Sequence, residues 1–136
     1  ALLPALLLAG CSSFKADPER ITQVPAERVL GYQTPVTGGG QVVVNRDLGM
    51  LGGGCYVAVL VDRQVAARIG IGEEVTLQVP AGKRVVGIGV DEADDTLCGK
   101  GRLRKEIAVP IVSGQTQHVR IVSQSQGGFN LRLEAP

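Results

Sequence analysis

Short apolar runs that alternate with polar residues fill the chain from Gln41 onward. In the clearest of these runs, Val75, Leu77 and Val79 fall on one face and the polar residues between them on the other. A period of two residues indicates a half-buried β-strand, because successive side chains of a strand point to opposite faces. Runs of this kind recur along the chain. The predicted strands are 41–45, 56–61, 64–69, 74–79, 84–90, 102–109, 117–123 and 129–134.

Turn residues separate these strands, and no helical pattern lies between them. Asp62-Arg63 stands between two runs and predicts a hairpin, and the Pro-Ala-Gly-Lys sequence at 80–83 is a strong turn signal. Within 84–90, Gly87 and Gly89 leave room for close approach of another chain segment. The pattern predicts an all-β domain, a small two-sheet antiparallel sandwich of about seven or eight short strands, with a small barrel as the alternative. The composition agrees, since 19 glycines, no tryptophan and 3% aromatic residues indicate many turns and an aliphatic core.

The first ten residues form an apolar run that is too short to cross a bilayer as a helix, which takes roughly 20 residues. The end of this run, Leu8, Ala9, Gly10 and Cys11, resembles the lipobox of bacterial lipoproteins. That resemblance implies cleavage before Cys11 and a diacylglycerol on its sulfur. We interpret 1–10 as a signal peptide remnant, and we expect that its start is missing because no Met and no basic stretch precede it. A buried apolar N-terminal helix is the alternative interpretation.

Residues 11–40 are predicted to be a lipidated tether. The polar stretch 12–18 shows no period, which is typical of a flexible stalk. A short helix is possible at 25–30, because Pro25 would stand at its first position and Gly31 just past its end. The glycines at 38–40 then indicate a loop. This interpretation makes 41–136 the β-sandwich domain, and we expect that domain to fold without the residues before it.

The cysteine count points to an exported protein. Of the three cysteines, Cys11 would be taken by lipid, which leaves Cys55 and Cys98 to pair in an oxidising compartment. A disulfide that closes so long a loop is worth on the order of 4 kcal/mol in the chain-entropy model. Two separately buried thiols are the alternative. A zinc site is a weaker interpretation, because two distant cysteines and the single His118 do not supply four closely spaced ligands.

The stretch VVVNRDLGMLGGGCYVAVLVDRQVAARIGIGEEVTLQVPAGKR resembles the core of small uncharacterised bacterial lipoproteins. The order of its features is also similar to PEGA-like sandwich domains: a strand ending in Arg-Asp, a glycine loop before a cysteine, a strand ending near Asp, a Gly-Glu step and a Pro-x-Gly turn. The usual Asp-Gly turn of that family is replaced here by Asp62-Arg63. The resemblance covers roughly 42–121. It implies a fold and an envelope location and carries over no catalytic residue.

Several short motifs spell a known chemistry but lack its context. Residues 91–94 spell the Asp-Glu-Ala-Asp of helicases, yet no GxxxxGK[ST] phosphate loop accompanies them. The glycine triplets at 38–40 and 52–54 lack the Lys-Ser/Thr and the strand-to-helix setting of a phosphate-binding loop. The acidic run 91–95 could hold a calcium ion weakly, but a solvated loop is the better interpretation because the EF-hand spacing is absent. His118 has no nucleophile in a recognisable motif with it. We therefore predict no catalytic residue, no cofactor and no metal.

One local basic cluster consists of Lys100, Arg102, Arg104 and Lys105, of which Arg102 and Arg104 would share a strand face. Such a face could contact lipid head groups or an anionic glycan. The alternative is a solvated face that discourages pairing at a sheet edge. A nucleic-acid partner is not expected, because 14 basic residues stand against 13 acidic ones and the formal net charge is only +1.

These features predict an envelope lipoprotein, anchored to the membrane through lipid on Cys11, whose non-catalytic sandwich is a structural or protein-binding adaptor. The alternative is a glycan or peptidoglycan binder, although the chain offers only four aromatic residues for that purpose. A hydrolytic enzyme is a third and weaker interpretation, since no nucleophile and base are visible. Ser12, directly after Cys11, is not the Asp that signals inner-membrane retention in enteric sorting, so the outer membrane is favoured. The oligomeric state is not predicted.

Overall fold

The computed structural model describes residues 13–49, 55–93, 102–124 and 128–135. These residues form nine strands arranged in two sheets. The strands are β1 (Thr22–Gln23), β2 (Gly40–Arg46), β3 (Val57–Val61), β4 (Gln64–Ile69), β5 (Glu73–Val79), β6 (Gly82–Val90), β7 (Arg104–Ile111), β8 (Thr116–Gln124) and β9 (Gly128–Leu133). The sheets have the orders β1-β5-β2-β8-β9 and β4-β3-β6-β7. The prediction of an all-β, two-sheet sandwich is confirmed.

The core lies between the two sheets and is made of the apolar positions that the period of two singled out. Alternate residues of β2 and β5, such as Val42 and Val44 of β2 and Leu77 and Val79 of β5, are fully buried and belong to one cluster. Valine and isoleucine dominate this cluster, and β-branched side chains pack well on pleated strands. The alternation therefore fixes which face of each sheet is buried.

The sandwich is not antiparallel throughout. The central strand β2 pairs antiparallel with β5 on one side and parallel with β8 on the other, and β1 pairs parallel with β5. All pairs of the four-stranded sheet are antiparallel. Parallel pairing is possible here because β2 and β8 are far apart in the chain, and the segment between them crosses to the other sheet and back.

The hairpin predicted at Asp62-Arg63 joins β3 and β4. Both residues have positive φ values, 47° and 67°, as a two-residue type I′ turn requires. Asp62 is held by β6, because its backbone N–H donates to Val85 O at 2.8 Å and its carboxylate accepts from Val85 N–H at 3.0 Å. A non-glycine pair can thus occupy this turn because a neighbouring strand stabilises it.

The start of β7 differs from the prediction. The strand begins at Arg104 rather than at 102, and it continues past the predicted end to Ile111. It includes Pro110, which a central strand would exclude for lack of an N–H group. β7 is an edge strand of its sheet, so Pro110 can sit there without removing a hydrogen bond from an inner ladder.

The segment before β2 lies against the sandwich and is not a free stalk in its described part. Ala16 and Val24 are buried, and Tyr32 packs against the core. The predicted helix at 25–30 is only a 3-10 turn over Ala26–Arg28. The turn ends there because the following residues are extended and pair with β4, with Leu30 N–H donating to Ala66 O at 2.8 Å.

Arg28 links this segment to the sandwich through a bidentate ion pair. Its guanidinium donates to both carboxylate oxygens of Glu73 at 2.6 Å and to the carbonyl of Arg68 at 2.9 Å. A bidentate pair of this kind is strong and directional. It is also mostly buried, so loss of one partner would leave the other charge without compensation.

These contacts change our expectation for the isolated sandwich. We expect a chain that starts at Thr37 to melt at least about 10 °C below the chain that starts at Ser13, because it loses β1, the Val24 side chain and the partner of Glu73. Circular dichroism melting of the two proteins measures this difference. Melting temperatures within a few degrees of each other would contradict this expectation and would show that the segment is a tether.

Candidate functional site

A groove of about 660 Å³ lies on the outer face of the four-stranded sheet. Its floor runs along the middle strands, where Gly87 and Gly89 of β6 stand next to Ala58 of β3. The edge strands carry long side chains at the same level, with Arg68 on β4 beside Ala58 and Arg104 on β7 beside Gly89. Small residues in the middle and long ones at the edges turn a flat sheet face into a concave one.

The two glycines of the floor differ in how closely they are packed. A Cβ atom added to Gly87 would lie 3.1 Å from the carbonyl oxygen of Lys105, which is tight. One added to Gly89 would meet Leu60 Cδ1 at 3.5 Å, an ordinary van der Waals contact. The close approach that the sequence predicts at these glycines is therefore present at Gly87. At Gly89 the missing side chain mainly leaves space for the groove.

The two long walls of the groove have different chemistry. The wall at β4 has an apolar middle between Arg63 and Arg68. Val65 of β4, Leu60 of β3 and Leu30 of the segment before β2 form this apolar part, and Val65 and Leu30 are exposed.

The wall at β7 is basic and includes Arg104, with Arg102 just before the strand. Lys105 lines the groove through its backbone, because its side chain points to the opposite face of β7 from Arg104. A ligand that fills the groove would therefore meet apolar groups on one side and positive charge on the other.

Two ion pairs stand at opposite ends of the groove. Arg63 and Glu106 form an exposed pair at 3.0 Å, in which the hydrogen bond from Arg63 lowers the pKa of the Glu106 carboxyl. Arg68 and Asp91 form a bidentate pair at 2.8–3.0 Å, in which Asp91 is buried. The exposed pair contributes little to stability, whereas the second pair fixes the position of its side chains.

The buried end of the groove is connected to the segment before β2 through one aromatic ring. The guanidinium carbon of Arg28 lies 4.1 Å from the centroid of the Tyr56 ring, and that of Arg68 lies 5.3 Å from it. Both distances are those of cation–π contacts. Arg68 also accepts a hydrogen bond from Arg28 through its carbonyl oxygen. The groove end, the ring and the Glu73 pair thus form one connected network.

Positive charge remains at the groove after its ion pairs are counted. Within the described residues, Arg102 and Arg104 form no ion pair, and Glu92 is the one lining carboxylate outside the two pairs. All three of these side chains belong to exposed residues. The β7 wall therefore presents an excess of cations to solvent and to any ligand.

The structure brings together most of the predicted basic cluster. Arg102, Arg104 and Lys105 all line the groove, although Arg102 precedes β7 and does not share a strand face with Arg104 as predicted. Lys100 lies outside the described residues. So do Cys11 and Cys98, and the pairing of Cys98 with Cys55 therefore stays a prediction.

The other residues that the sequence singled out lie apart from one another. His118 is exposed on β8, in the sheet that does not carry the groove. Asp91, the first residue of the acidic run, is paired with Arg68, and the end of that run at 94–95 lies outside the described residues. Among the described residues no three His, Cys, Asp or Glu side chains are grouped as they would be around a metal ion.

The sequence pattern does not predict the rest of the groove. Arg63 is recognisable only as a turn residue, and Leu30, Val65 and Arg68 carry no signal of a shared surface. The signal available in the sequence was the pair of glycines two positions apart in β6, which removes side chains from one face of a central strand. The sequence does not indicate which strands flank that face of β6.

Comparisons with protein-family models, with curated proteins and with solved structures found no match. Within the described part of the chain, no helix is long and apolar enough to cross a membrane.

The Arg28–Glu73 pair makes stability depend on pH in the acid range. Burial raises the pKa of the Glu73 carboxyl, but the hydrogen bonds from Arg28 and from Gly70 N–H and the charges of Arg28 and Arg46 outweigh burial, so the pKa lies below its ordinary value of 4.5. A carboxyl whose pKa is lowered by folding stabilises the protein above its unfolded pKa, and that stabilisation is lost as the pH falls through the folded pKa.

We expect Glu73→Gln to lower the free energy of unfolding by about 3 kcal/mol at pH 7, because Arg28 loses its carboxylate partner in a mostly buried position. The variant should also lose less stability than the wild type between pH 5 and pH 3. Urea unfolding at several pH values measures both effects. Glu19→Gln, at an exposed residue, is the matched control and should follow the wild type. An unchanged acid limb in Glu73→Gln would contradict this role of the pair.

Proposed function

We propose that this protein is a lipid-anchored lipoprotein of the bacterial cell envelope whose non-catalytic sandwich binds an acidic segment of a partner protein in the groove. The anchor is the lipid on Cys11, and the outer membrane is favoured over the inner one. A disulfide between Cys55 and Cys98 belongs to the same proposal. The resemblance to PEGA-like lipoproteins stays a prediction.

The excess of cations on the β7 wall is the observation that carries the binding proposal. Arg102 and Arg104 have no ion-pair partner among the described residues and lie on one side of a concave surface. A carboxylate-bearing ligand would find charge complementarity there, and such complementarity favours specific association. The facing apolar wall adds a contact that favours apolar side chains of the same ligand.

A partner protein fits this surface better than a glycan or a lipid head group. Glycan-binding surfaces usually stack sugars on aromatic rings, and the residues that line the groove include none. The carboxylates of Glu92 and Glu106 would repel a purely anionic surface, and such a surface would leave the apolar wall without a contact. A peptide segment with both acidic and apolar side chains satisfies both walls.

The floor of the groove sets the size of the segment. From Gly87 of β6 to Asp91, the residue after that strand, the backbone advances four residues, about 13 Å at the rise of a β-strand. An extended segment of about four residues covers this length. In such a segment alternate side chains point to opposite sides, so acidic residues could face β7 while apolar residues face β4.

Pull-down from detergent-solubilised envelope with the full-length protein tests the proposal. We expect the wild type to capture a stoichiometric protein partner. The double variant Arg102→Glu and Arg104→Glu should reduce capture about tenfold or more, because it places negative charge opposite an acidic ligand. The matched control reverses two exposed cations away from the groove, Lys83 and Arg132, and should bind like the wild type.

A second pair of variants separates shape from charge. Gly89→Val should fill the groove floor and weaken capture with little loss of stability, because its added Cβ makes only an ordinary contact and valine suits a strand. Gly31→Val, at a position with no atom within 4 Å of an added Cβ, is the control. Enrichment on purified cell-wall material without a protein partner, or equal capture by all four variants, would contradict the proposal.

A further inference from the structure

Ser13 is fixed to one end of the sandwich. Its backbone N–H donates to Ser123 O at 2.9 Å, and its hydroxyl accepts from Ser123 N–H at 2.8 Å and donates to Asp47 at 2.5 Å. Asp47 is fully buried and is itself held by two hydrogen bonds from Arg120 at 2.6 and 2.9 Å. The chain is therefore anchored to the domain from its first described residue.

This attachment leaves very little chain between the domain and the lipid that we propose on Cys11. Only Ser12 separates Cys11 from Ser13. Two residue steps span at most about 7 Å, whatever their conformation. A lipid on Cys11 would therefore hold this end of the sandwich at the membrane surface, and no stalk of 11–40 would stand between them.

An exposed aromatic side chain lies at the same end. Phe14 is 58% exposed, the largest exposed fraction among the large hydrophobic side chains described. Its position is well fixed, because its backbone pairs with that of Leu48 through hydrogen bonds at 3.2 and 2.9 Å and its ring lies against Gly49. Nothing in the described residues covers the rest of the ring. Exposed Phe, Leu and Trp side chains of membrane-surface helices bury at the boundary between head groups and acyl chains.

We infer that the end of the sandwich formed by Ser13, Phe14, Leu48 and Gly49 contacts the lipid surface, with the Phe14 ring inserted at the interface. This inference rests on the proposed lipidation of Cys11. The neighbouring Lys15 is paired with Glu134 at 3.2 Å, so the proposed contact rests on the Phe14 ring and not on the charge of Lys15. β8 is nine residues long and joins this end of the sandwich to the opposite end. At the rise of a β-strand, the turn before β8 therefore lies about 25 Å from the membrane surface.

A tryptophan probe tests this orientation, because the chain contains no tryptophan of its own. We would reconstitute the lipidated full-length protein carrying Phe14→Trp into phosphatidylcholine vesicles with and without brominated acyl chains. We expect a blue-shifted emission that the brominated lipid reduces at least about twofold. Val112→Trp, at a 48% exposed residue in the turn after β7, is the matched control and should not be quenched. Unchanged circular dichroism melting shows that both variants fold.

The outcomes separate this inference from the proposed function. Absence of quenching at position 14 in protein that still incorporates a palmitate analogue, or stronger quenching at 112 than at 14, would overturn the inference and leave the anchor intact. Absence of the palmitate label in the wild type, with the same result in Cys11→Ala, would instead overturn the anchor. Quenching at 14 that disappears in Cys11→Ala would support both.

Discussion

A buried guanidinium links the two sheets at the end of the sandwich that carries Phe14. Arg46 belongs to β2 in the five-stranded sheet and is fully buried. Its Nη1 donates to two carbonyl oxygens of the other sheet: Cys55 O, just before β3, at 2.7 Å, and Ile69 O, in β4, at 2.8 Å. Burial lowers its pKa to about 10, partly offset by the charge of Glu73, so it stays protonated at neutral pH. Its removal would leave two carbonyl groups without a donor, at a cost of about 1–3 kcal/mol each.

The charges around Arg46 form a layer that closes this end of the core. Glu73 accepts a hydrogen bond from Arg28, and its negative charge favours the protonated form of Arg46. Asp47, the residue after Arg46, accepts hydrogen bonds from Arg120 and Ser13. Buried charges of this kind are tolerated only when they are paired or hydrogen-bonded. The layer therefore requires the segment before β2, which supplies Arg28 and Ser13. The sandwich and that segment form one unit in the described residues.

The alternation of apolar residues predicted the strands well, because it is a local property that each strand carries in its own sequence. The tether was predicted less well, since its contacts are sparse in sequence. Val24 and Arg28 make the segment part of the fold, but one apolar side chain and one arginine in a polar stretch give no period. Likewise β1 is only two residues long, and it exists because β5 offers an unpaired edge. Partners that lie 40 residues or more away, such as Glu73 for Arg28, cannot be identified from a pattern of neighbours.

Distance in sequence also limits how much of the groove could be predicted. The basic cluster is contiguous in sequence and was visible, whereas the apolar wall joins Leu30, Leu60 and Val65 from three elements. The edge strands of the two sheets differ in whether another segment covers them. The segment before β2 covers the outer edge of β5 through β1 and pairs with part of the edge of β4.

At the other side of the four-stranded sheet, β7 has no covering segment in the described residues and instead carries Arg104, Lys105 and Pro110. Charged residues and proline protect an edge strand from pairing with another chain. The cations therefore have a structural use as well as the binding role proposed for them. Arg102 precedes the strand and lies on the same wall of the groove, so edge protection does not account for its position.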